Sequence, residues 1–248
     1  MKKKIKALFE YRRIPKLIED GNVKGKKSLY KKLIALQIAI YHLDGYLESN
    51  WKIKKTELNK HWKEIHKAML ECGIPKNKLA AYSKHILKYQ SHELGLRDGK
   101  LPTRGSIEYF YYYKSCDVRL MRQIIYDLSE NLDSRYTLPD WRYFDLITEL
   151  NDDLEDVFED LETINGNYAL IARWELGKKE SLKRISEFID LIESKNKDRF
   201  KSRKSESKYK FIYKMTKEQI KATRKLMVKN MDKLKKKKIS KATLFGHL

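Results

Sequence analysis

PDWRYFDLITELNDDLEDVFEDLETIN, residues 139 to 165, decides how the chain is read. Wound into a helix at about 100° per residue, it sets Leu150, Leu154, Val157, Leu161 and Ile164 on one face, the pattern of a helix packed on a core. About a quarter-turn away, Glu149, Asp153, Asp156 and Asp160 stack above one another with Asp152 at their margin, while Glu155, Glu159 and Glu162 point elsewhere, as on a solvated face. Carboxylates one turn apart repel by a few tenths of a kcal/mol per pair, roughly, unless cations sit between them. Two readings meet here. One is an acidic surface helix paired with lysines from its neighbours. The other is a row of hard oxygen ligands for Mg²⁺ or Mn²⁺, which suit carboxylates better than zinc does.

Upstream, Ser28–Glu48 is apolar nearly all round between Leu33 and Leu43, as expected of a helix in the middle of a bundle. It nevertheless carries a polar stripe, Gln37, Tyr41, Asp44 and Glu48, at helical spacing, and buried acids demand partners. Residues 2 to 19 predict a short helix bent near Pro15. Residues 55 to 72 and 76 to 93 predict two more, with Tyr82, His85, Tyr89 and His92 along one face of the second. Ser106 is the expected N-cap of a single helix running to about Asn131. That helix is rich in tyrosine: Tyr112 and Tyr113 are candidates for a cavity wall as well as for core, and Arg119 and Arg122 follow, a residue type whose planar fork suits phosphate. A salt bridge to the acidic helix is the alternative for both arginines.

Downstream, helices are expected at 168 to 176 and 178 to 195, then a basic, serine-rich linker at 196 to 215 that could close over a site. Thr216 should cap a last helix with Ile220, Leu226, Met227, Met231 and Leu234 on its apolar side. The expected division is therefore a helical domain at 1–195 and a basic C-terminal region at 196–248, docked on the bundle.

Four prolines and ten glycines, with much Lys, Leu, Ile, Glu and Tyr, favour an all-α fold. The formal charge of +21 is uneven: residues 1 to 126 carry +16, 127 to 194 carry −11 and 195 to 248 carry +16. Such an excess points to a polyanionic partner, whether nucleic acid, an anionic membrane or a phosphorylated substrate. Two cysteines, Cys72 and Cys116, without CxxC or His-Cys spacing argue against a disulfide scaffold and a structural zinc site, and fit reduced cytosol. The basic start lacks the apolar run of a signal peptide, and no stretch reaches the roughly 18 apolar residues of a spanning helix. A cytoplasmic protein, at most peripheral to a membrane, is expected.

DDLEDVFED, Asp152 to Asp160, resembles the second aspartate-rich motif of the squalene/phytoene synthase family, N-x-x-R-D-V-x-E-D, within the class I isoprenoid synthase superfamily. Asp156 and Asp160 match its two metal-binding aspartates; Asp152 stands where the family has Asn, and Glu155 where it has Arg. A second register, Asn151, Glu155 and Glu159, is similar to the N-D-x-x-S/T-x-x-x-E motif of terpene cyclases, with Glu155 in place of Ser or Thr. Asp44 and Glu48 resemble the first acidic motif, DxxxD, with Glu for its second Asp. The resemblance implies an antiparallel bundle around a central cavity, Mg²⁺ (or Mn²⁺) and a prenyl diphosphate substrate ionised with release of pyrophosphate. In that case Asp156 and Asp160 with Asp152 or Asp153 would be ligands, as would Asp44 and Glu48. Arg119 and Arg122 would meet the diphosphate, and Tyr41, Tyr112 and Tyr113 would wall the pocket. The rival is a basic helical protein that binds nucleic acid or anionic lipid without catalysis.

Overall fold

The computed structural model describes residues 1–203 and 209–248. As expected of this composition, they form α-helices joined by turns and short 3-10 segments, and no strand occurs among the described residues. In chain order the helices are α1 (Lys2–Tyr11), α2 (Ile14–Asp20), α3 (Lys26–Ser49), α4 (Lys55–Glu71), α5 (Leu79–Leu96), α6 (Ile107–Lys114), α7 (Cys116–Asp127), α8 (Arg142–Glu155), α9 (Tyr168–Glu175), α10 (Gly177–Ser202), α11 (Tyr209–Lys233), α12 (Lys236–Ile239) and α13 (Thr243–His247). Two compact units are built from them, Met1–Tyr89 with Cys116–Leu138 and Gln90–Ser115 with Pro139–Leu248. The division expected at 195–196 is crossed by α10 without interruption. The chain changes unit within α5, at the Ser115–Cys116 junction and between Leu138 and Pro139.

In the first unit α3 is the spine, packed against α1, α2, α4 and α7. Leu29, Leu33, Leu36, Ile40, Leu43 and Leu47 are its buried row, but Lys31, Lys32, Ala35, His42 and Gly45 are exposed. The helix is thus buried on most of its circumference rather than all of it: Ala and Gly add little apolar area, so leaving them at the surface costs little. Arg13, at φ 61°, turns the chain between α1 and α2, and Pro15 sits in the first turn of α2, where its missing N–H is harmless.

The single helix expected from Ser106 to Asn131 is two helices. Ser106 does cap the first, accepting the Tyr109 N–H at 3.3 Å. At Ser115 the backbone leaves helical geometry, with its hydroxyl donating to the Tyr112 carbonyl at 3.1 Å. A serine offering the backbone a local partner in this way competes with the helical ladder.

In the second unit α8 and α11 form the centre, with α9 and α10 against them. The expected linker at 196 to 215 is mostly helix: α10 runs on to Ser202 and α11 begins at Tyr209, while 204–208 lie outside the described residues. The basic residues there have structural work. Arg199 and Arg203 both reach Asp140, which is 1% exposed, with the Arg199 Nε at 2.7 Å and the Arg203 Nη2 at 3.2 Å. Phe200 stacks on Tyr213 with ring centroids 4.2 Å apart. Thr216 does not cap α11 but lies buried inside it, donating to the Ile212 carbonyl at 2.8 Å. By its apolar side, including Ile220, Met227 and Met231, α11 packs on α8, and none of the described helices is long and apolar enough to cross a membrane.

Candidate functional site

The acidic helix ends earlier than its periodicity implies. Leu150, Leu154, Val157 and Ile164 are buried and Leu161 partly so, but α8 stops at Glu155 and a 3-10 turn, Asp160–Glu162, follows. The cause is a pair of amides from distant sequence. Asn167 Nδ2 donates to the Asp153 carbonyl and Asn230 Nδ2 to the Leu154 carbonyl, both at 2.7 Å, replacing the backbone donors a longer helix would supply. Asn167 also caps α9 through its Oδ1, which accepts the Leu170 N–H at 3.0 Å.

The carboxylates sort as the helical wheel expects. Glu155, Glu159 and Glu162 are exposed; Glu149 and Asp153 are buried; Asp152, Asp156 and Asp160 are half-buried. Even past the end of α8 the last three keep helical register, because the Asp156 N–H donates to the Asp152 carbonyl and the Asp160 N–H to the Asp156 carbonyl, each at 2.9 Å. Asp160 Oδ2 accepts Asn167 Nδ2 at 2.7 Å.

Asp153 has a different role from its neighbours. Its Oδ1 takes the Lys114 ammonium, and its Oδ2 takes the Tyr111 hydroxyl at 2.9 Å and the Tyr168 N–H at 2.8 Å. Burial pushes the Asp153 carboxyl up, with Lys114 opposing. Burial would lower Lys114, but Asp153 and Asp160 together outweigh it and hold the ammonium well above its ordinary value. The lysine-paired reading therefore describes Asp153: its oxygens are committed to protein donors, and its placement is that of an anchor between α6 and α8, not of an open metal ligand. Nearby, a Cβ on Gly166 would come within 2.8 Å of the Glu93 carboxylate, so glycine there permits the close approach of a buried acid.

The remaining candidates of the second unit are aromatic. Tyr112 packs on the core cluster beneath the Arg142 guanidinium, 5.1 Å from its ring centroid, and Tyr113 meets the rings of Tyr109 and His92 at 4.6 and 5.5 Å. An open pocket of about 550 Å³ in this unit is lined by Leu101, Arg104, Trp174 and Glu175 among others, and by none of the residues singled out from the sequence.

The first unit holds the other acidic pair. Asp44 and Glu48, one turn apart on α3, are half-buried, as is Tyr41, and Asp44 Oδ1 accepts the Tyr89 hydroxyl at 2.7 Å. Gln37, fully buried, donates to Asp117 Oδ2 at 2.6 Å. Arg119, half-buried, faces His85 Nε2 at 3.4 Å, and burial, aided by Arg119, pushes the imidazole below its ordinary value. Arg122 is 1% exposed and donates to the Arg12 carbonyl at 3.1 Å, which makes it part of the packing of its own unit and not an open phosphate contact.

Mg²⁺ commonly takes one or two carboxylates, with waters and substrate phosphate completing its shell. Half-buried Asp152, Asp156 and Asp160 offer such oxygens, whereas no group of three or more His, Cys, Asp or Glu stands ready as a cage among the described residues. The donor set suits a cation that arrives with an anionic ligand. Sequence reasoning missed Lys114, Asn167 and Asn230, since nothing local shows that the Asn167 amide reaches back to α8. Compared with family models, curated proteins and solved structures, the chain matches none.

Proposed function

We propose that the chain is a divergent enzyme of the class I isoprenoid synthase type, acting with Mg²⁺ (or Mn²⁺) on a prenyl diphosphate. The observation that carries this reading is the continued register of Asp152, Asp156 and Asp160 beyond α8, half-buried and segregated from the exposed Glu155, Glu159 and Glu162. A shared, half-buried register suits acids that face a ligand. Asp156 and Asp160, with Asp152, would hold the cation; Asp44 and Glu48, in the first unit, would be the counterpart of the first acidic motif. The cavity-enclosing bundle implied by the resemblance belongs to the same proposal. When bound, the metal would neutralise charge gathering on the leaving diphosphate. The chain's own part is to position the acids and shield the site: Asn167 fixes Asp160, and Tyr112 and Tyr113, in the same unit, supply apolar faces.

The test is direct. Incubated with geranyl, farnesyl or geranylgeranyl diphosphate and Mg²⁺, the protein releases pyrophosphate and leaves a less polar prenyl product. If none of the three is bound or turned over with Mg²⁺ or Mn²⁺, the enzyme reading is rejected.

A further inference from the structure

The exposed side of α11 is a comb of lysines. Lys210, Lys214, Lys217, Lys221 and Lys225 fall within about 80° of arc on a helical wheel, with Lys229 at its border, and span about 28 Å of helix from first to last. All six are exposed, and none forms an ion pair with a described residue; Lys217 lies 5.7 Å from the Tyr213 ring centroid. Like charges at i, i+4 repel, so Lys210/Lys214, Lys217/Lys221, Lys221/Lys225 and Lys225/Lys229 each weaken the helix slightly. Two exposed acids share the arc, Glu218 beside Lys214 and Lys221, and Asp232, which is held by Lys178 at 2.8 Å, so the face remains strongly positive. The one arginine beside the comb, Arg224, is engaged with Asp190 at 2.6 Å and Glu193 at 2.9 Å. Beyond the end of α11, Lys235, Lys236, Lys237, Lys238 and Lys241 are exposed too.

The opposite side of α11 is buried in its unit through Ile212, Met215, Ile220, Met227 and Met231, so the comb is held rigid before it meets anything. We infer that this face docks on an anionic lipid surface. Three features favour lipid over nucleic acid. The comb is made of lysine, a point charge suited to diffuse negative potential, and its neighbouring arginine fork is already engaged. Beside it, the Phe200 and Tyr213 rings are stacked on one another, which takes those faces away from incoming bases. The exposed apolar side chain on the same arc is Val228, 56% exposed, which can enter a headgroup layer. The apolar face of α11 itself is spent on the core, so the attachment is electrostatic and reversible rather than inserted.

The inference does not depend on the enzyme reading, and it is tested on the full chain. Binding is measured by co-sedimentation with vesicles of phosphatidylcholine alone, with vesicles containing about one-third phosphatidylserine, and against a short duplex RNA at equal salt. The wild type binds the phosphatidylserine vesicles, releases with added salt and ignores pure phosphatidylcholine. Each lysine near such a surface is worth about fivefold in partition, so replacing Lys214, Lys217, Lys221 and Lys225 with serine lowers it several-hundredfold. A variant with Lys26, Lys27, Lys31 and Lys32 replaced by serine loses the same net charge from exposed positions in the first unit and keeps most of the binding. Circular dichroism checks that both remain helical. The inference is overturned if the wild type does not bind the acidic vesicles, if the two variants lose equally, or if duplex RNA binds more tightly than the vesicles.

Discussion

The Lys114 ammonium is held on the Asp153 carboxylate, 39 residues further along the chain, and the pair lies beside the acidic segment rather than at its surface. Asp153 is 1% exposed at its side chain and Lys114 19%. Removing one partner of such a pair leaves the other charge buried, at a cost of about 3 kcal/mol or more. Lys114→Met should therefore destabilise the protein by about that amount in urea melts, and a loss below about 1 kcal/mol would mean that the pair is not the anchor described.

The same variant has a pH signature. The folded-state value of Lys114 is raised, so its stabilisation is present below the unfolded value near 10.5 and is lost only as pH rises through the higher folded value. Asp153, raised by burial, favours the fold most when protonated, and that contribution is lost as pH rises through its folded value. Without Lys114 the carboxyl rises further. The stability gap between wild type and Lys114→Met should narrow on acidification from neutral pH towards the unfolded carboxyl value of 3.8. A gap constant with pH would show that Asp153 feels no charge from Lys114.

Asn167 holds three things with one amide: the Asp153 carbonyl, the Asp160 carboxylate and the first turn of α9. Asn167→Asp keeps the cap but turns the donor into a second carboxylate facing Asp160. It should cost more than Asn167→Ser, by about 1 kcal/mol or more at neutral pH. Thermal melts of the two variants decide the order, and Asn167→Ser melting below Asn167→Asp would assign the residue to capping alone.

Cys72 is 3% exposed, and burial pushes its thiol up to about 12. It is protonated and enclosed at neutral pH, so a thiol reagent such as iodoacetamide should modify it in denaturant but scarcely at all in the folded protein. Mass spectrometry of the peptide containing Cys72 reads this out. Rapid native labelling would place the residue outside the core of its unit.

How much the sequence discloses depends on the range of the forces involved. The sorting of acids into exposed Glu155, Glu159 and Glu162 against enclosed Glu149 and Asp153 was legible, because helical periodicity is local and Leu150 and Leu154 mark the inner face. The apolar side of α11, with Ile220, Met227 and Met231, was legible for the same reason. The end of α8 was not, since it is set by Asn167 and Asn230, amides from other segments. Nor was the assignment of Asp153 to Lys114, because a row of acids looks the same whether its counter-charge is a cation or a lysine on another helix. The basic stretch at 196 to 215 resembled a linker in composition, yet Arg199 and Arg203 neutralise Asp140 and Tyr213 packs on Phe200, contacts that composition does not contain.

The acidic segment itself supplies the sharpest contrast for the proposed activity. Asp160→Ala would be confounded, because it also deprives Asn167 of an acceptor. Asp156 is compared with Glu159, three residues on, which is exposed where Asp156 is half-buried. Asp156→Asn keeps volume and hydrogen-bonding capacity but removes the charge a cation requires. Even outer partners of a metal ligand are worth about tenfold to a hundredfold, so Asp156→Asn should lower kcat/KM for the prenyl diphosphate by about a hundredfold or more. Glu159→Gln should leave it within about twofold, since an exposed charge is screened by solvent. Mg²⁺ with pyrophosphate should likewise raise the Tm of the wild type and of Glu159→Gln but not of Asp156→Asn. Equal losses in both variants, or equal Tm shifts in all three proteins, would mean that the half-buried ladder is not the metal site.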